Sequence, residues 1–435
     1  MRKEGRGHFT AALASAEFRA MWLAEALSQI GDQLARVALA LLVFGRTNSA
    51  LLTALTYALT FLPSLLGGLL LSGLGDRFPR RTVIVVTDVL RGCLAAAMAI
   101  PGLPLTVLWC LVGVLTLAGS PFKAAQMALL PDVLPEGRYQ AGLGLRQVTM
   151  QTAQLAGFGL GGLLVTAIGP SWALLLNGGT FFVSALLVIT GVHARPASRR
   201  DRASSGGEAN VVRGRDPRIA IPFAVNCLLG LIVVPEGLAA PYAHEAGASV
   251  VMVGVLMMAD PVGSVFGGWW AGRSSPPPTT RSAIVPMALA GLPLAGCAVT
   301  PGYVWPIVWW GLSGALATIA LIRGQTVIVA VVPDARRATV LGRLNACLYT
   351  TQGIALVAAG AVADQLGPRG AVAASGALTT VLAIGAALVW RETRPEKRAA
   401  GGEARSAGPD RSVLTIAHDD SSPGSTRDGH PGAGA

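Results

Sequence analysis

Four polar side chains recur along the first apolar stretch of the chain at the spacing of one helix face. Steps of four, three and four residues separate Glu25, Gln29, Asp32 and Arg36. Residues three or four apart are neighbours on a helix, so this spacing predicts a polar stripe. Hydrocarbon solvates ions poorly, and we therefore expect the stripe to face protein or water. There Asp32, one turn from Arg36, is the leading candidate to exchange a proton or recognise a cation, with Glu25 and Arg36 as further coupling candidates.

Two more carboxylates and a guanidinium interrupt apolar stretches in the second half of the chain. Glu236 follows Pro235 at nearly the repeat-equivalent position of Asp32. Asp260 and Arg323 each lie about 20 Å along a helix from the nearest basic loop, which places them at one depth. All three are coupling candidates, although Asp260 and Arg323 also fit a purely structural ion pair.

The other candidates have structural interpretations as well. Asp32 fits a permanent ion pair with Arg36. Glu25 fits a carboxylate at the end of an apolar stretch, and Glu236 fits a residue at the outer rim. Charged residues nearer the basic ends of the stretches are interpreted as snorkelling or gate-network groups. They are Asp88, Arg91, Lys123 and Arg146.

A glycine-rich run within one apolar stretch has the spacing of a dinucleotide-binding loop but the wrong surroundings. It reads Gly157-Phe158-Gly159-Leu160-Gly161-Gly162, and no strand is predicted before it. Small residues let helices approach closely, so Gly157, Gly161 and Gly162 predict helix packing. The sequence also contains no Walker phosphate-binding motif and no cluster of cysteine and histidine. We therefore expect no ATP hydrolysis, no metal, no cofactor and no enzymatic reaction.

The composition indicates which elements must position these polar groups. Of 435 residues, 52% are hydrophobic and only 13% are charged, whereas soluble domains average roughly 25% charged residues. Apolar runs of about 20 residues recur along the chain, and each is long enough as a helix to cross the hydrocarbon core. Lipid offers no partners for open backbone groups, so the runs must be helical. The predicted fold is an all-α integral membrane protein of about twelve transmembrane helices.

The distribution of basic residues sets the expected orientation and argues against nucleic acid. The net charge is +11, and the arginines cluster in alternate connections between the apolar runs. This asymmetry is the positive-inside pattern, which predicts a multi-pass plasma-membrane protein with both termini in the cytoplasm. A nucleic-acid-binding protein would instead gather its charge on one patch. The lipid bilayer is thus the expected partner.

A long polar interruption divides the apolar runs into six and six. We predict a cytoplasmic N-terminus over 1–19, six-helix bundles over 20–192 and 219–391, a cytoplasmic linker over 193–218 and a disordered tail over 392–435. The two halves resemble each other at an offset of about 200 residues, and Gly169-Pro170 is echoed by Gly367-Pro368. Two pseudo-symmetric bundles of this kind can rock about a site between them.

The loop after the second apolar run carries a motif that indicates a family resemblance. Residues 72–81 read Ser-Gly-Leu-Gly-Asp-Arg-Phe-Pro-Arg-Arg. This resembles the cytoplasmic signature of the major facilitator superfamily, G-x-L-a-D-R-x-G-R-R, with Ser72 and Pro79 where the family usually has Gly. The resemblance implies a secondary transporter in which this loop latches the cytoplasmic side.

By the same resemblance, four residues of the motif are assigned to a cytoplasmic gate. They are Asp76, Arg77, Arg80 and Arg81. Arg80 and Arg81 also fit an ordinary basic loop on the inner side.

Two further segments narrow the resemblance within the superfamily. The opening Phe18-Arg19-Ala20-Met21-Trp22-Leu23, followed by Ser28-Gln29-Ile30-Gly31-Asp32, resembles the macrolide-efflux and siderophore-exporter branch. The glycine-rich run partly resembles the antiporter signature G-x-x-x-G-P-x-x-G-G, with Phe158 where that signature has Pro and Ala153 in place of its first Gly.

These resemblances imply a proton-coupled exporter of a lipophilic small molecule, such as a drug, an antibiotic or a siderophore, that works by alternating access. The expected partners are the small-molecule substrate, protons and lipid, and the expected state is a monomer. Proton- or cation-coupled uptake in the same fold is the alternative. A membrane-embedded enzyme or a transport-dead receptor is a third, for which the sequence offers no nucleophile with an adjacent base.

Overall fold

The helices of the protein were located in a computed structural model that describes residues 13–71, 77–134, 139–195, 217–273, 280–332 and 334–392. The described residues up to Arg391 form one compact unit. Asp76, most of the predicted linker, and the predicted tail after Glu392 lie outside the described residues.

The described part of the first half of the chain is almost entirely helical. They are α1 (Ala16–Thr47), α2 (Ala50–Ala58), α3 (Leu62–Leu71), α4 (Arg80–Met98), α5 (Leu105–Val133), α6 (Tyr139–Ile168) and α7 (Pro170–Gly191).

The second half follows the same pattern with more interruptions. Its helices are α8 (Pro217–Ile232), α9 (Val234–Gly237), α10 (Ala239–Glu245), α11 (Val250–Arg273), α12 (Thr280–Gly296), α13 (Val304–Val331) and α14 (Asp334–Glu392). The long helix α14 is broken at Gly367, whose φ is 79°. No strand occurs among the described residues.

The described helices confirm the predicted all-α membrane fold. By length and composition, seven of them can cross a membrane, or eight if the pair Pro222–Gly237 and Ala239–Glu245, bent by 49°, counts as one span. The remaining predicted spans are helices that are short, broken or charged. Helix α4 carries Arg80, Arg81, Asp88 and Arg91, and α14 holds two predicted spans on either side of Gly367.

Two sharp turns between helices use the same local device. Gly169 has a φ of 82° and precedes Pro170, the first residue of α7. Gly367 has a φ of 79° and precedes Pro368 within α14. Glycine tolerates this left-handed conformation, and the fixed φ of proline suits the first turn of a helix. The two echoed dipeptides of the sequence therefore make equivalent turns in the two halves.

Glycines allow helices of the two halves to pack closely. A Cβ on Gly162 of α6 would come within 2.8 Å of the Val251 carbonyl oxygen of α11. A Cβ on Gly360 of α14 would come within 2.8 Å of the Leu51 Cα of α2. Since neither site has room for a side chain, the backbones meet directly.

Glu17 and Asp364 lie at opposite ends of the helix assembly, which are called the Glu17 end and the Asp364 end. The Glu17 end holds the first turn of α1, where Ser15 accepts a hydrogen bond from the Phe18 N–H at 3.3 Å. The Asp364 end holds the first turn of α2, where Ser49 accepts a hydrogen bond from the Leu52 N–H at 3.2 Å. Helix α1 therefore runs from the Glu17 end to the Asp364 end.

Candidate functional site

A cavity of about 590 Å³ lies between helices of the first and second halves of the chain. Its lining combines apolar residues with amide, hydroxyl and charged side chains. The charged side chains in the lining are Asp32, Arg36, Arg91, Lys123, Glu236 and Asp260.

The polar stripe of α1 faces this cavity over most of its length. Gln29, Asp32 and Arg36 all line it. Asp32 does not pair with Arg36, however, because Asp32 accepts a 2.7 Å hydrogen bond from Arg91 of α4. Arg36 instead donates to the Gln33 side-chain oxygen at 3.1 Å and lies over the ring of Phe61 at 4.8 Å. The predicted alternative of an Asp32–Arg36 ion pair is therefore wrong.

Arg91 lies at the centre of a buried network rather than at a helix end. Its side chain is 6% exposed and approaches Asp88 at 3.5 Å as well as Asp32. Its guanidinium also lies 4.0 Å from the centre of the Phe181 ring. Asp88 is fully buried and accepts a 2.5 Å hydrogen bond from the Ser184 hydroxyl. The snorkelling interpretation of Asp88 and Arg91 is thus wrong, since both side chains are inside the protein.

Glu25 forms a second buried ion pair with Arg146 of α6. The Arg146 Nε donates to one carboxylate oxygen of Glu25 at 2.6 Å, and Nη2 contacts the other. Nη2 also donates to the Gln126 side-chain oxygen at 3.2 Å. Glu25 and Arg146 are both buried. The interfacial interpretation of Glu25 and the snorkelling interpretation of Arg146 are therefore wrong.

Glu236 closes the cavity towards the Asp364 end. It lies in the four-residue helix α9, where the bend of the span begins, and is only 5% exposed. Its carboxylate accepts a 2.7 Å hydrogen bond from the Tyr57 hydroxyl of α2. Arg36 also interacts electrostatically with both groups. The interpretation of Glu236 as a rim residue is wrong, because the break in the span carries it inwards.

Asp260 lines the cavity from α11 without an ion pair to Arg323 among the described residues. It is half-buried and packs against α13, where a Cβ on Gly314 would come within 2.5 Å of the Asp260 carbonyl oxygen. Arg323 donates to the Ser282 carbonyl oxygen at 3.4 Å. The two residues were expected at one depth, but each has other neighbours.

The described part of the loop motif makes its contacts within the first half. Arg77 is exposed. Arg80 donates to Asp132 at 2.7 Å and to the Ala128 carbonyl oxygen at 2.8 Å. Arg81 donates to the Ile189 carbonyl oxygen. The gate assigned by resemblance to these arginines and to Asp76, which lies outside the described residues, stays a prediction.

The glycine-rich run packs against two helices at once. A Cβ on Gly157 would come within 2.7 Å of the Ile30 carbonyl oxygen of α1, and one on Gly161 within 2.8 Å of Val37. Gly162 faces α11 instead, as described above. The run therefore holds α6 against the helix that carries the polar stripe and against the second half.

One contact between the halves was not anticipated from the sequence. Asp364 of α14 accepts hydrogen bonds from the backbone N–H groups of Ala50 at 3.0 Å and Leu51 at 3.2 Å, and from the Ser49 hydroxyl at 3.3 Å. A carboxylate at a helix N-terminus satisfies free N–H groups and complements the helix dipole. Asp364 thus caps α2 from the opposite half of the chain.

Solved structures share this architecture. A bacterial homologue of the human lysosomal transporter Spinster, inward-facing and unoccupied, superposes with a TM-score of 0.71 at 14% identity, covering 88% of this chain and 98% of that chain. The nucleoside transporter NupG gives a TM-score of 0.64 at 13% identity, covering 85% of this chain and 99% of that chain. At these identities the likeness shows a common fold.

The sequence has matches as well. Two proteins of Bacillus subtilis (strain 168), named as uncharacterized MFS-type transporters YkuC and YfiS, are each 26% identical to the chain, over 176 and 165 residues. The matches cover 39% and 38% of this chain and 40% and 39% of the relatives, so the chain spans about two fifths of the length of the curated relatives it matches. The family described as Major Facilitator Superfamily matches residues 21–323 and 237–419. The chain belongs to the Major Facilitator Superfamily.

Proposed function

We propose that this protein is a secondary active transporter that exports a lipophilic small molecule in exchange for protons by alternating access. The observation that carries the proposal is the Asp32–Arg91 ion pair on the wall of the central cavity. Asp32 is 24% exposed at its side chain, whereas Arg91 is 6% exposed. A proton arriving through the cavity can therefore reach the carboxylate without unfolding the helices around it.

Contacts between the halves support alternating access. Towards the Asp364 end, Asp364 caps α2, Tyr57 donates to Glu236, and the rings of Phe44 and His244 meet at 5.4 Å between centroids. Each of these contacts joins the first half to the second. Such contacts must break before substrate can leave at that end.

Contacts at the Glu17 end are of a different kind. Arg80 pairs with Asp132 and Arg195 pairs with Glu17, both at 2.7 Å and both within the first half. Among the described residues of this end, no ion pair joins the two halves, which supports an inward-facing state with the basic Glu17 end in the cytoplasm. We further propose that the protein is a monomer in the plasma membrane, with its cavity accessible from the cytoplasm.

The proposed coupling step is a competition for Asp32. A proton that binds the Asp32 carboxylate neutralises it and weakens the ion pair, while Arg91 keeps Asp88 as a counter-ion. Loss of that proton restores the pair and the negative charge. Protonation of Asp32 weakens its attraction to Arg91, and pairing with Arg91 opposes protonation of Asp32. Proton binding and the charge of the cavity are therefore linked.

The direction of transport rests on the resemblance of residues 18–32 and of the glycine-rich run to exporters and antiporters. Uptake by symport uses the same fold and cavity, so the experiment must separate the two. We expect cells that lack their own pumps to be depleted of a lipophilic dye when they express this chain. Accumulation of the dye in intact cells would select uptake instead.

The coupling role of Asp32 is tested with everted vesicles under an imposed pH gradient. Adding rhodamine B, its ethyl ester or another transported dye should evoke proton release from wild-type vesicles, and Asp32→Asn should abolish the release. Glu17→Gln is the matched control, because Glu17 also pairs with an arginine at 2.7 Å but neither lines the cavity nor contacts the loop motif. Retained coupling in Asp32→Asn, or equal loss in the control, would remove Asp32 from the mechanism.

A further inference from the structure

The cavity has walls of opposite charge. Among the described residues, the first-half wall carries three basic side chains and one acidic one, whereas the second-half wall carries two acidic side chains and no basic one. The sign of the charge therefore changes across the space in which a substrate would lie. A cavity for a purely cationic molecule would not need the excess of positive charge on one wall.

Most of these charges are compensated by protein neighbours. Asp32 and Arg91 form an ion pair at 2.7 Å. Glu236 accepts the Tyr57 hydroxyl and interacts with Arg36. These pairs hold the frame of the cavity together and leave little charge for a ligand.

Two charged side chains of the lining remain without such a partner. Lys123 on α5 is exposed and Asp260 on α11 is half-buried. Neither forms a hydrogen bond or an ion pair with another described residue. One belongs to the first-half wall and the other to the second-half wall, so the uncompensated charges have opposite signs on opposite sides.

We propose that the cavity recognises an amphoteric molecule, with a cationic group bound by Asp260, an anionic group bound by Lys123 and an apolar body between them. The inference rests on the proposed transport function and names the substrate class of the same cavity. Apolar side chains available to the body include Phe61, Leu115, Ile232 and Leu321.

The physical basis is that the apolar body of a bound ligand displaces the water around both charges, and a charge that loses its water without gaining a partner is costly. A ligand with one charge pairs with one of the two side chains and leaves the other desolvated beneath its apolar body. A ligand with both charges compensates both side chains at once. Binding should therefore favour the amphoteric form over a cation or an anion of the same size.

Three xanthene dyes of similar size test this. Rhodamine B is zwitterionic at neutral pH, its ethyl ester is a cation, and fluorescein is an anion. Binding is measured by fluorescence anisotropy on the purified full-length protein in lipid nanodiscs, without any ion gradient. We expect rhodamine B to bind at least about tenfold more tightly than either of the other dyes.

Single substitutions should then separate the two contacts. Asp260→Asn should weaken the binding of rhodamine B and its ester by about tenfold and leave fluorescein unchanged. Lys123→Gln should weaken rhodamine B and fluorescein by a similar factor and leave the ester unchanged. Glu17→Gln is the control outside the cavity and should change none of the affinities.

A charge reversal keeps the test decisive if Asp260→Asn does not fold. Lys123→Glu should make the ester the preferred dye, because both walls then attract cations. Equal affinity for the three dyes, or unchanged preferences in these variants, would overturn the proposal. Binding is measured without a gradient, so the two proposals can fail separately. If the dyes bind with the predicted preferences but the vesicles show no proton exchange, the transport mechanism is refuted and the amphoteric substrate class stands. If proton exchange occurs but the three dyes bind equally, the substrate class is refuted and the transport mechanism stands.

Discussion

Two of the three acidic side chains of helix α1, Glu25 and Asp32, lie about two turns apart. Each pairs with an arginine from another helix, yet only Asp32 lines the cavity. The side chains of Glu25 and Arg146 are 8% and 10% exposed, and both carboxylate oxygens are engaged. Asp32 is 24% exposed and is held by Arg91 through one contact at 2.7 Å. Both are carboxylate–arginine ion pairs, but the Glu25–Arg146 pair is sealed inside the protein and the Asp32–Arg91 pair is accessible from the cavity.

We infer that access to the cavity, and not residue type, separates the structural role of Glu25 from the coupling role proposed for Asp32. Glu25 can exchange a proton only if the packing of α1, α5 and α6 opens around it. Asp32 needs only the water of the cavity. We therefore infer that Glu25 stabilises the fold and that Asp32 does the coupling, although both were coupling candidates by sequence.

The largest effect is expected from breaking the sealed pair. Glu25→Gln leaves Arg146 buried without a counter-ion, and removing one partner of a buried ion pair costs about 3–5 kcal/mol of unfolding free energy. Asp32→Asn should lose only about 1 kcal/mol, because cavity water and Asp88 compensate Arg91. The free energy of unfolding can be measured by titration with sodium dodecyl sulfate in mixed micelles. Equal losses in the two variants would contradict the distinction.

Replacing both residues of an ion pair should change the unfolding free energy less than replacing one of them. Apolar residues of similar volume often substitute for a buried ion pair without loss of stability. Glu25→Leu combined with Arg146→Met should therefore come within about 1 kcal/mol of the wild-type unfolding free energy and retain proton-coupled dye export. Asp32→Asn, which keeps Arg91 beside Asp88, should fold but not couple. Loss of coupling in the Glu25 double variant, despite a normal unfolding curve, would assign a proton-transfer role to the sealed pair.

Much of the fold followed from local features of the sequence. Apolar runs predicted the helices, since lipid requires backbone groups to be paired within a segment. The spacing of Gln29, Asp32 and Arg36 predicted a shared face, and these side chains do line the cavity. The run from Gly157 to Gly162 predicted close helix packing. Both predictions succeeded because the periodicity of polar residues and the size of side chains are local properties of the sequence.

The partners of the charged groups did not follow from local features. Arg91 and Arg146 reach α1 from helices 59 and 121 residues away in sequence, and only tertiary packing sets that register. The sequence offered one signal of the buried network around Arg91. Asp88 and Arg91 are three residues apart within an apolar stretch, and a charged pair in such a stretch is expected to be buried or functional. Asp364 gave no comparable signal, because a cap supplied by another part of the chain leaves no motif around it.

The smallest expected effect concerns Asp88, the second carboxylate beside Arg91. Asp88 is fully buried, so it should behave like the sealed pair and not like Asp32. Ser184→Ala removes the 2.5 Å hydrogen bond to Asp88 and should lower the unfolding free energy by about 1 kcal/mol without changing proton-coupled export. Ser313→Ala is the matched control, since that hydroxyl is equally buried and donates to the Ala290 carbonyl oxygen at 2.8 Å. If only Ser184→Ala impaired coupling, Asp88 would act together with Asp32, and burial alone would not distinguish the two kinds of carboxylate.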